Sequence, residues 1–523
     1  MKNNKIYLPI FLAVASVIGI FIGSNLNYNN NSSSFFSKNT KEQKIKRLIN
    51  FIEYDYVEDV NTDSLLDGTI KDIVGKLDPH SVYIPAKNHD EIEEKMNGKF
   101  VGIGVKFNMI NDSLTIINTI KGGPSEKAGL KAGDRILMAN HDTLSGKKLT
   151  NANIISKLKG EMNSLINLRI YRKQTEQILY FRVVRGDVPI KSIDAAYLLK
   201  DDIGYIKLHN FTATSYTEFK KELTKLKSQG MQKLILDLRG NTGGFIGVTT
   251  KIIDEFLEDD KLIVYTKNNK GRIEKTFATE KGDFEDNKIY ILIDEDSASA
   301  SEILAGALQD NDKGTIVGRR SFGKGLVQQD MELGDGSSVR LTTARYYTPT
   351  GRSIQKPYKL NAKDEYYSDG FQKRYLRGEL TTVDSIQVVD SLKFVTPKGK
   401  VVYGGGGIIP DVFVPIDTNK MYNNLHFNMM NNFVFNYVDN HRDEFENMNL
   451  SYFMNNFDLD DKIFNLYIKE IKKSYHLNSK HNKDIKHYIK AIFAREIYDD
   501  NGFYQVLNTQ DNVIDKVLEL ENK

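Results

Sequence analysis

Two hydrophobic periodicities alternate between residues 190 and 355, and this constrains the fold most. "IGYIKLHNF" has strand character, and "SYTEFKKELTKLKSQG" has helical spacing with a glycine stop. "KLILDLRG" is a short apolar run of the kind that forms a buried strand, and "GFIGVTTKIIDEFL" is helical. "KIYILIDE" repeats the buried strand, a further helix follows, and "GTIVGRR" ends the series. Strands of period two separated by helices of period 3.6 predict a layered α/β domain. Such domains place their sites at the carboxyl ends of the strands.

One strand end carries unusual chemistry. "DEDSASASEILAGALQD", Asp294 to Asp310, sets Ser297, Ser299 and Ser301 between alanines where a helix should begin. Ser299 and Glu302 have the spacing of a capping box, the common use of a serine at such a place. The same position suits a nucleophile, because a helix start offers unpaired N–H groups and partial positive charge to a developing oxyanion. A serine nucleophile needs a base. The nine histidines lie at 80, 89, 141, 209, 426, 441, 476, 481 and 487, so none falls between 210 and 425. His209 follows a strand and reads as a surface residue. Lys324, in "SFGKGLVQQ", sits among apolar and glycine residues. Burial there could hold it neutral, although moving a lysine from about 10.4 to about 7 costs roughly 4–5 kcal/mol. "GRRSFGKG" approaches a phosphate-binding loop but has Gly325 where the magnesium-binding hydroxyl belongs. The strand-like "LVQQDMEL" then follows in place of a helix. Both departures argue against a nucleotide site.

The flanking segments differ in kind. Residues 41–95 read as small packing helices, with Ile45, Leu48, Ile49 and Ile52 on one face and a proline stop after "TDSLLDGTIKDIVGKLDP". Residues 96–188 are rich in short strands and glycine turns, with "LTNANIISKLKG" as their one clear helix. Residues 356–400 are charged and tyrosine-rich, "GGGGIIPDVFVP" closes the α/β domain, and 420–523 read as helices with a stripe at Ile485, Ile489, Ile492, Phe493 and Ile497. At the start, Lys2 and Lys5 precede the uncharged run Ile6–Gly23. This is an uncleaved membrane anchor or a cleaved signal, and the lysines place the N-terminus in the cytoplasm and the rest beyond the membrane. Residues 1–40 are thus an anchor or signal with a polar tether. Absence of cysteine excludes disulfides, thiol catalysis and zinc–thiolate sites. A net charge of +3 from 72 basic and 69 acidic residues gives no argument for nucleic acid.

"SASASEILAGALQD", "SFGKGLVQ", "LTTARYYTPTGRSIQ", "DLRGNTGG" and "GLKAGDRIL" together resemble the carboxy-terminal processing (tail-specific) proteases, in order over residues 41–415. The resemblance implies a serine endopeptidase with a crotonase- or Clp-protease-like α/β core at 189–419 and an inserted PDZ domain at 96–188. The N-terminal run adds a cell-envelope location, in the periplasm if the signal is cleaved, and no cofactor or metal is expected. Ser299 maps to the nucleophile, Lys324 to the base and Gln328 to a residue that orients it. Ala300, Gly243 and Gly244 map to the oxyanion hole, and Glu302, Asp310 and Ser321 to supporting positions. Phe100, Val101, Gly102, Ile103 and Gly104 match the loop that holds a substrate's terminal carboxylate. Ile154 and Ile155 on the groove helix contact a terminal side chain or pack the core. Partners are then protein or peptide substrates with a free C-terminus, and the membrane through the N-terminal segment. Thr242 departs from the family, which often has proline there. The helices of 420–523 could dimerise, dock an adaptor or simply cover the core. Two other classes compete with this reading. Intact Ser299, Lys324 and Gln328 argue against a non-catalytic PDZ scaffold, and a crotonase-type acyl-binding enzyme gives no reason for a PDZ domain.

Overall fold

A computed structural model describes residues 13–17, 40–110, 112–146, 149–361, 363–368, 370–418, 424–445, 447–471 and 481–522. The chain divides into two compact units, residues 1–72 and 73–523. In the first, α1 (Thr40–Asp55) precedes α2 (Thr62–Gly75), whose last turn enters the second. The apolar stripe expected on α1 forms, but Ile45 and Leu48 are 50% and 58% exposed, so this face is not the packed element expected. The expected anchor Ile6–Gly23 lies outside the described residues except for 13–17. Among the described residues no helix is long and apolar enough to cross a membrane.

The second unit opens with β1 (Val82–Ile84), a strand where only helices were expected, and α3 (Ala86–Asn97). Gly98 stops α3 with φ 70°, the left-handed cap that glycine adopts without strain. Next come β2 (Lys99–Gly102), β3 (Val105–Ile110), β4 (Ser113–Thr119), β5 (Asp134–Ala139), α4 (Asn151–Leu158), β6 (Leu165–Arg172), β7 (Gln177–Val184) and β8 (Gly186–Pro189). Strands β3 to β7 make an antiparallel sheet in sequence order, with β3 at the edge. Strands β2 and β8 pair as a ribbon. Alternate side chains of the sheet (Leu114, Ile116, Ile136, Ile166, Ile170) bury against Ile154 of α4.

The α/β domain follows as β9 (Ile193–Lys200), β10 (Ile203–Leu208), α5 (Ser215–Ser228), β11 (Lys233–Asp237), α6 (Ile246–Asp254), β12 (Leu262–Asn268), β13 (Ile273–Phe277), β14 (Lys288–Ile293), α7 (Ala300–Asp310), β15 (Gly314–Gly318), β16 (Leu326–Glu332) and β17 (Ser338–Tyr347). It continues through α8 (Lys363–Ser368), α9 (Phe371–Leu376), β18 (Lys393–Val395), β19 (Val401–Tyr403) and β20 (Val412–Phe413). The central sheet runs β9-β10-β11-β14-β15-β20, parallel from β10 onward. A second, antiparallel sheet runs β1-β17-β12-β13, with β16 also on β17. Central strands are apolar on both faces because both are covered. Leu234, Leu236, Ile289 and Ile291 face the helices α5 to α7.

The last segment holds α10 (Asn424–Asn440), α11 (Leu450–Asn456), α12 (Asp461–Ile471), α13 (Asn482–Leu507) and α14 (Asn512–Glu521). The expected α13 stripe is there: Ile485, Ile489, Ile492 and Phe493 are buried with Phe433 and Tyr467, and Ile497 packs against them. Helix α14 does the third thing considered for this region. Its Val513, Ile514 and Val517 cover the other face of the central sheet, against Tyr205, Ile235, Tyr290 and Leu292. Each such side chain contributes about 1.5–3 kcal/mol of burial.

Candidate active site

The three serines separate by environment. Ser297 donates its hydroxyl to Leu238 O at 2.9 Å and Ser301 to Asn241 O at 2.9 Å, and both are fully buried. Both therefore hold the turn after β11 against the start of α7. Ser299 stands between them, partly exposed, with φ 55° and ψ −112°. A non-glycine residue there carries roughly 1–3 kcal/mol of backbone strain, which persists only where surrounding bonds enforce it. Those bonds are visible. The Glu302 carboxylate accepts Ser299 N–H at 2.9 Å, and the Tyr346 hydroxyl donates to Ser299 O at 3.1 Å.

The same two residues hold the lysine. Glu302 also accepts Lys324 N–H at 2.8 Å, Gly323 N–H at 2.7 Å and the Ser321 hydroxyl, while Tyr346 donates to Lys324 O at 2.6 Å. One carboxylate and one hydroxyl therefore fix both backbones at once. Burial pushes the Glu302 carboxyl up to about 7, against the pull of its four donors. The Lys324 ammonium donates to Gln328 Oε1 at 2.7 Å. Burial, and then the Arg340 charge, hold Lys324 below the ordinary lysine range. His209, the one histidine the strands left for consideration, has a 61% exposed side chain beside Asp194.

Asn241 shapes the glycine turn. Its Oδ1 takes Gly243 N–H at 2.9 Å and its Nδ2 donates to Leu208 O at 2.9 Å. Gly243 is therefore not the free donor that the sequence reading made it, because its N–H is already engaged within the turn. Among the described residues the N–H groups of Gly244 and Ala300 bond no acceptor. A Cβ on Gly243 would stand 2.9 Å from both Ala300 N and Ser299 Cβ, so the turn packs directly on the serine. Thr242, where the family often has proline, does not disturb this.

The supporting residues act by position. Asp310, at the end of α7, binds Arg352 at 2.7 Å with both side chains fully buried, which ties the "TPTGRSIQ" segment to the serine's helix. Ser321 donates to Glu302 and accepts Ile408 N–H at 2.6 Å. In the β-rich segment, Phe100, Val101 and Gly102 lie on β2, and Ile103 and Gly104 turn the chain into the edge strand β3, with Gly104 at φ 74°. Among the described residues the N–H groups of Ile103 and Gly104 bond no acceptor. Ile154 is fully buried and Ile155 is 41% exposed. Ile154 is thus core, because its position on α4 turns it into the sheet, and only Ile155 faces outward.

Sequence reading missed several members of this shell. Tyr346 lies inside "LTTARYYTPT" but carried no distinguishing signal. Gln328 Nε2 donates to His80 O at 2.6 Å, so the chain before α3 reaches the site, where a packing element was expected. The "DPHS" turn holds that carbonyl. Asp78 accepts His80 N–H at 2.9 Å, Ser81 N–H at 3.0 Å and the Thr342 hydroxyl at 2.9 Å. A carboxylate two residues before a histidine and three before a serine is a turn signal that could have pointed here.

A serine on a strained strand-to-helix turn, a half-buried lysine tied to it through Glu302 and Tyr346, and an attached edge-stranded sheet define a serine peptidase with a peptide-binding domain. Family models agree segment by segment. Peptidase family S41 matches residues 202–360, a PDZ domain 101–182, the activating protease CtpB N-terminal domain 21–88, and a family of unknown function 421–499. The carboxy-terminal processing protease CtpB of Bacillus subtilis is 33% identical over 337 residues, 62% of this chain and 69% of that protein. A carboxy-terminal-processing protease of Bartonella bacilliformis is 33% identical over 350 residues, 65% of this chain and 79% of that one. Among solved structures, a photosystem II D1 C-terminal processing protease aligns over 71% of this chain and 86% of its own, at 22% identity and TM-score 0.37. The chain belongs to the carboxy-terminal processing proteases of peptidase family S41.

Proposed function

We propose that Ser299 attacks the scissile carbonyl with Lys324 as its base, on protein substrates whose C-termini the PDZ domain captures. The shared clamp carries this reading: Glu302 and Tyr346 each bond the backbones of both Ser299 and Lys324. Neutral Lys324 takes the Ser299 proton as Oγ bonds the carbonyl carbon. The N–H groups of Ala300 and Gly244 face the oxygen that gains charge. The lysine then gives that proton to the leaving amine, the C–N bond breaks, and a water deprotonated by Lys324 releases the acyl group. Gln328, bonded to one lysine N–H, leaves the lone pair for the serine. A substrate tail adds to the open edge of β3, its carboxylate on Ile103 and Gly104 N–H and its terminal side chain toward Ile155. The charge-free run Ile6–Gly23 behind two lysines supports a cell-envelope location, anchored in the cytoplasmic membrane or secreted.

The test uses the purified full chain with a partly unfolded protein ending in apolar residues, and the same protein ending in two aspartates. Wild type should cleave the apolar-tailed substrate faster, and Ser299→Ala and Lys324→Ala should cleave neither. Cleavage that survives Lys324→Ala at neutral pH would sink the dyad.

A further inference from the structure

Lys324 sits inside a closed ring of hydrogen bonds that leaves the catalytic loop and returns to it. Lys324 Nζ donates to Gln328 Oε1 at 2.7 Å, and Gln328 Nε2 donates to His80 O at 2.6 Å. The His80 ring continues the path. Its Nε2 lies 3.1 Å from the Tyr366 hydroxyl, and its Nδ1 lies 3.0 Å from the Tyr367 hydroxyl. Gln355 Nε2 donates to the Tyr366 hydroxyl at 3.2 Å, and Gln355 Oε1 accepts Gly325 N–H at 2.8 Å, next to Lys324. The rings stack edge-on, His80 against Tyr366 at 5.0 Å and against Tyr367 at 5.9 Å.

A neutral imidazole fits this ring, one nitrogen donating to a tyrosine hydroxyl and the other accepting from one. With the proton on Nδ1, Tyr367 accepts from it and donates to Pro79 O at 3.4 Å, while Tyr366 donates to the bare Nε2 and accepts from Gln355. Burial, and then the Lys324 charge, push His80 down to about 4, so it is neutral at working pH. The His80 carbonyl can accept only the amide NH₂ of Gln328. That choice turns the amide so its oxygen faces the lysine.

We infer that His80, held by Tyr366 and Tyr367 of the tyrosine-rich segment, is a positioning residue that orients Gln328 and through it the lone pair of Lys324. This rests on the reading of Lys324 as the base. It gives residues 356–400 a role in the reaction, where the sequence showed only extra length.

A double-mutant cycle on the full chain tests it, with a fluorogenic peptide substrate and thermal melting of each variant. Tyr366→Phe removes one hydroxyl at constant shape and should lower kcat about 5–20-fold with KM within about 2-fold. In a Gln328→Ala background the same change should lower kcat by less than about 2-fold, because its effect has no route to the lysine. Tyr367→Phe is the second variant and should behave alike. Tyr366→Phe should also move the rise of activity with pH to lower pH, since the ammonium loses a fixed acceptor. Equal losses with and without Gln328, or no loss from either tyrosine variant, would overturn the inference. Activity persisting in Lys324→Ala would instead remove the base reading beneath it.

Discussion

The turn at Gly243 packs directly on the backbone of Ala298 and Ala300 and on Ser299 Cβ. With φ 107° and a Cβ position 2.9 Å from Ala300 N, an alanine would be strained and would also push on the serine turn. Gly243→Ala is expected to lower kcat by about 100-fold or more while the PDZ domain still binds a tail peptide, measured by peptide hydrolysis and fluorescence polarisation. Intact hydrolysis would mean that the turn does not set the oxyanion site. Lys324 gives a pH prediction with a definite sign. Its ammonium is disfavoured in the fold, so the neutral, proton-accepting form appears at lower pH than for an exposed lysine. Activity should rise with pH along a limb whose midpoint lies below about 10.4. A pH profile with its midpoint at or above that value would show an exposed, unperturbed lysine. For the fold the direction is the same: as pH falls and Lys324 protonates, burial of the charge subtracts from stability.

At the scale of elements, α7 and β17 converge on Tyr346, whose hydroxyl bonds carbonyls on both sides of the site. Tyr346→Phe takes the hydroxyl donor from the Lys324 carbonyl, at about 1–3 kcal/mol, while Ser299 O keeps the N–H groups of Glu302 and Ile303. It is expected to lower kcat by about tenfold or more with a small change in melting temperature, and steady-state kinetics beside calorimetry would check it. An equal fall in stability with kcat intact would make Tyr346 a packing residue alone. These elements were legible in unequal degree. The strands "KLILDLRG" and "KIYILIDE" and their helices were plain, because a buried parallel sheet writes itself as apolar runs of fixed period. Ser299 and Lys324 could be singled out as candidates from their surroundings, and the resemblance to the family's motifs is what joined them and added Gln328. Tyr346, His80 and Tyr366 were not legible, since their roles depend on pairings between β1 and β17 and on a segment some 286 residues from His80, which no local pattern encodes. The Gly243 assignment failed for a related reason: Asn241, two residues away, closes on its N–H.

Over the second unit as a whole, two carboxylates, Asp439 and Asp500, tie the PDZ domain to the C-terminal helices. Asp439 of α10 binds Arg135 at 2.6 Å, Lys173 at 3.0 Å and Arg442 at 3.3 Å, and Lys106 of β3 reaches Asp500 at 3.3 Å. Burial would raise the Asp439 carboxyl, but Arg135 and Lys173 outweigh it and hold it below the usual range. This contribution is therefore full above about pH 4 and fades as pH falls below it. Asp439→Ala should destabilise the docked arrangement by about 2 kcal/mol and speed amide hydrogen exchange at the PDZ surface that carries Arg135 and Lys173. Unchanged exchange there would show that other contacts suffice.

Helix α14 has a consequence in time. Val513, Ile514 and Val517 complete the second face of a sheet whose last strand, β20, ends at Phe413. About a hundred residues must be added after that strand before the cover exists. At 5–20 residues per second this takes roughly 5–20 s, during which Tyr290 and Leu292 face water or a chaperone. A proteolytic centre whose supporting sheet is finished only by residues 512–521 therefore waits for that helix before its support is complete.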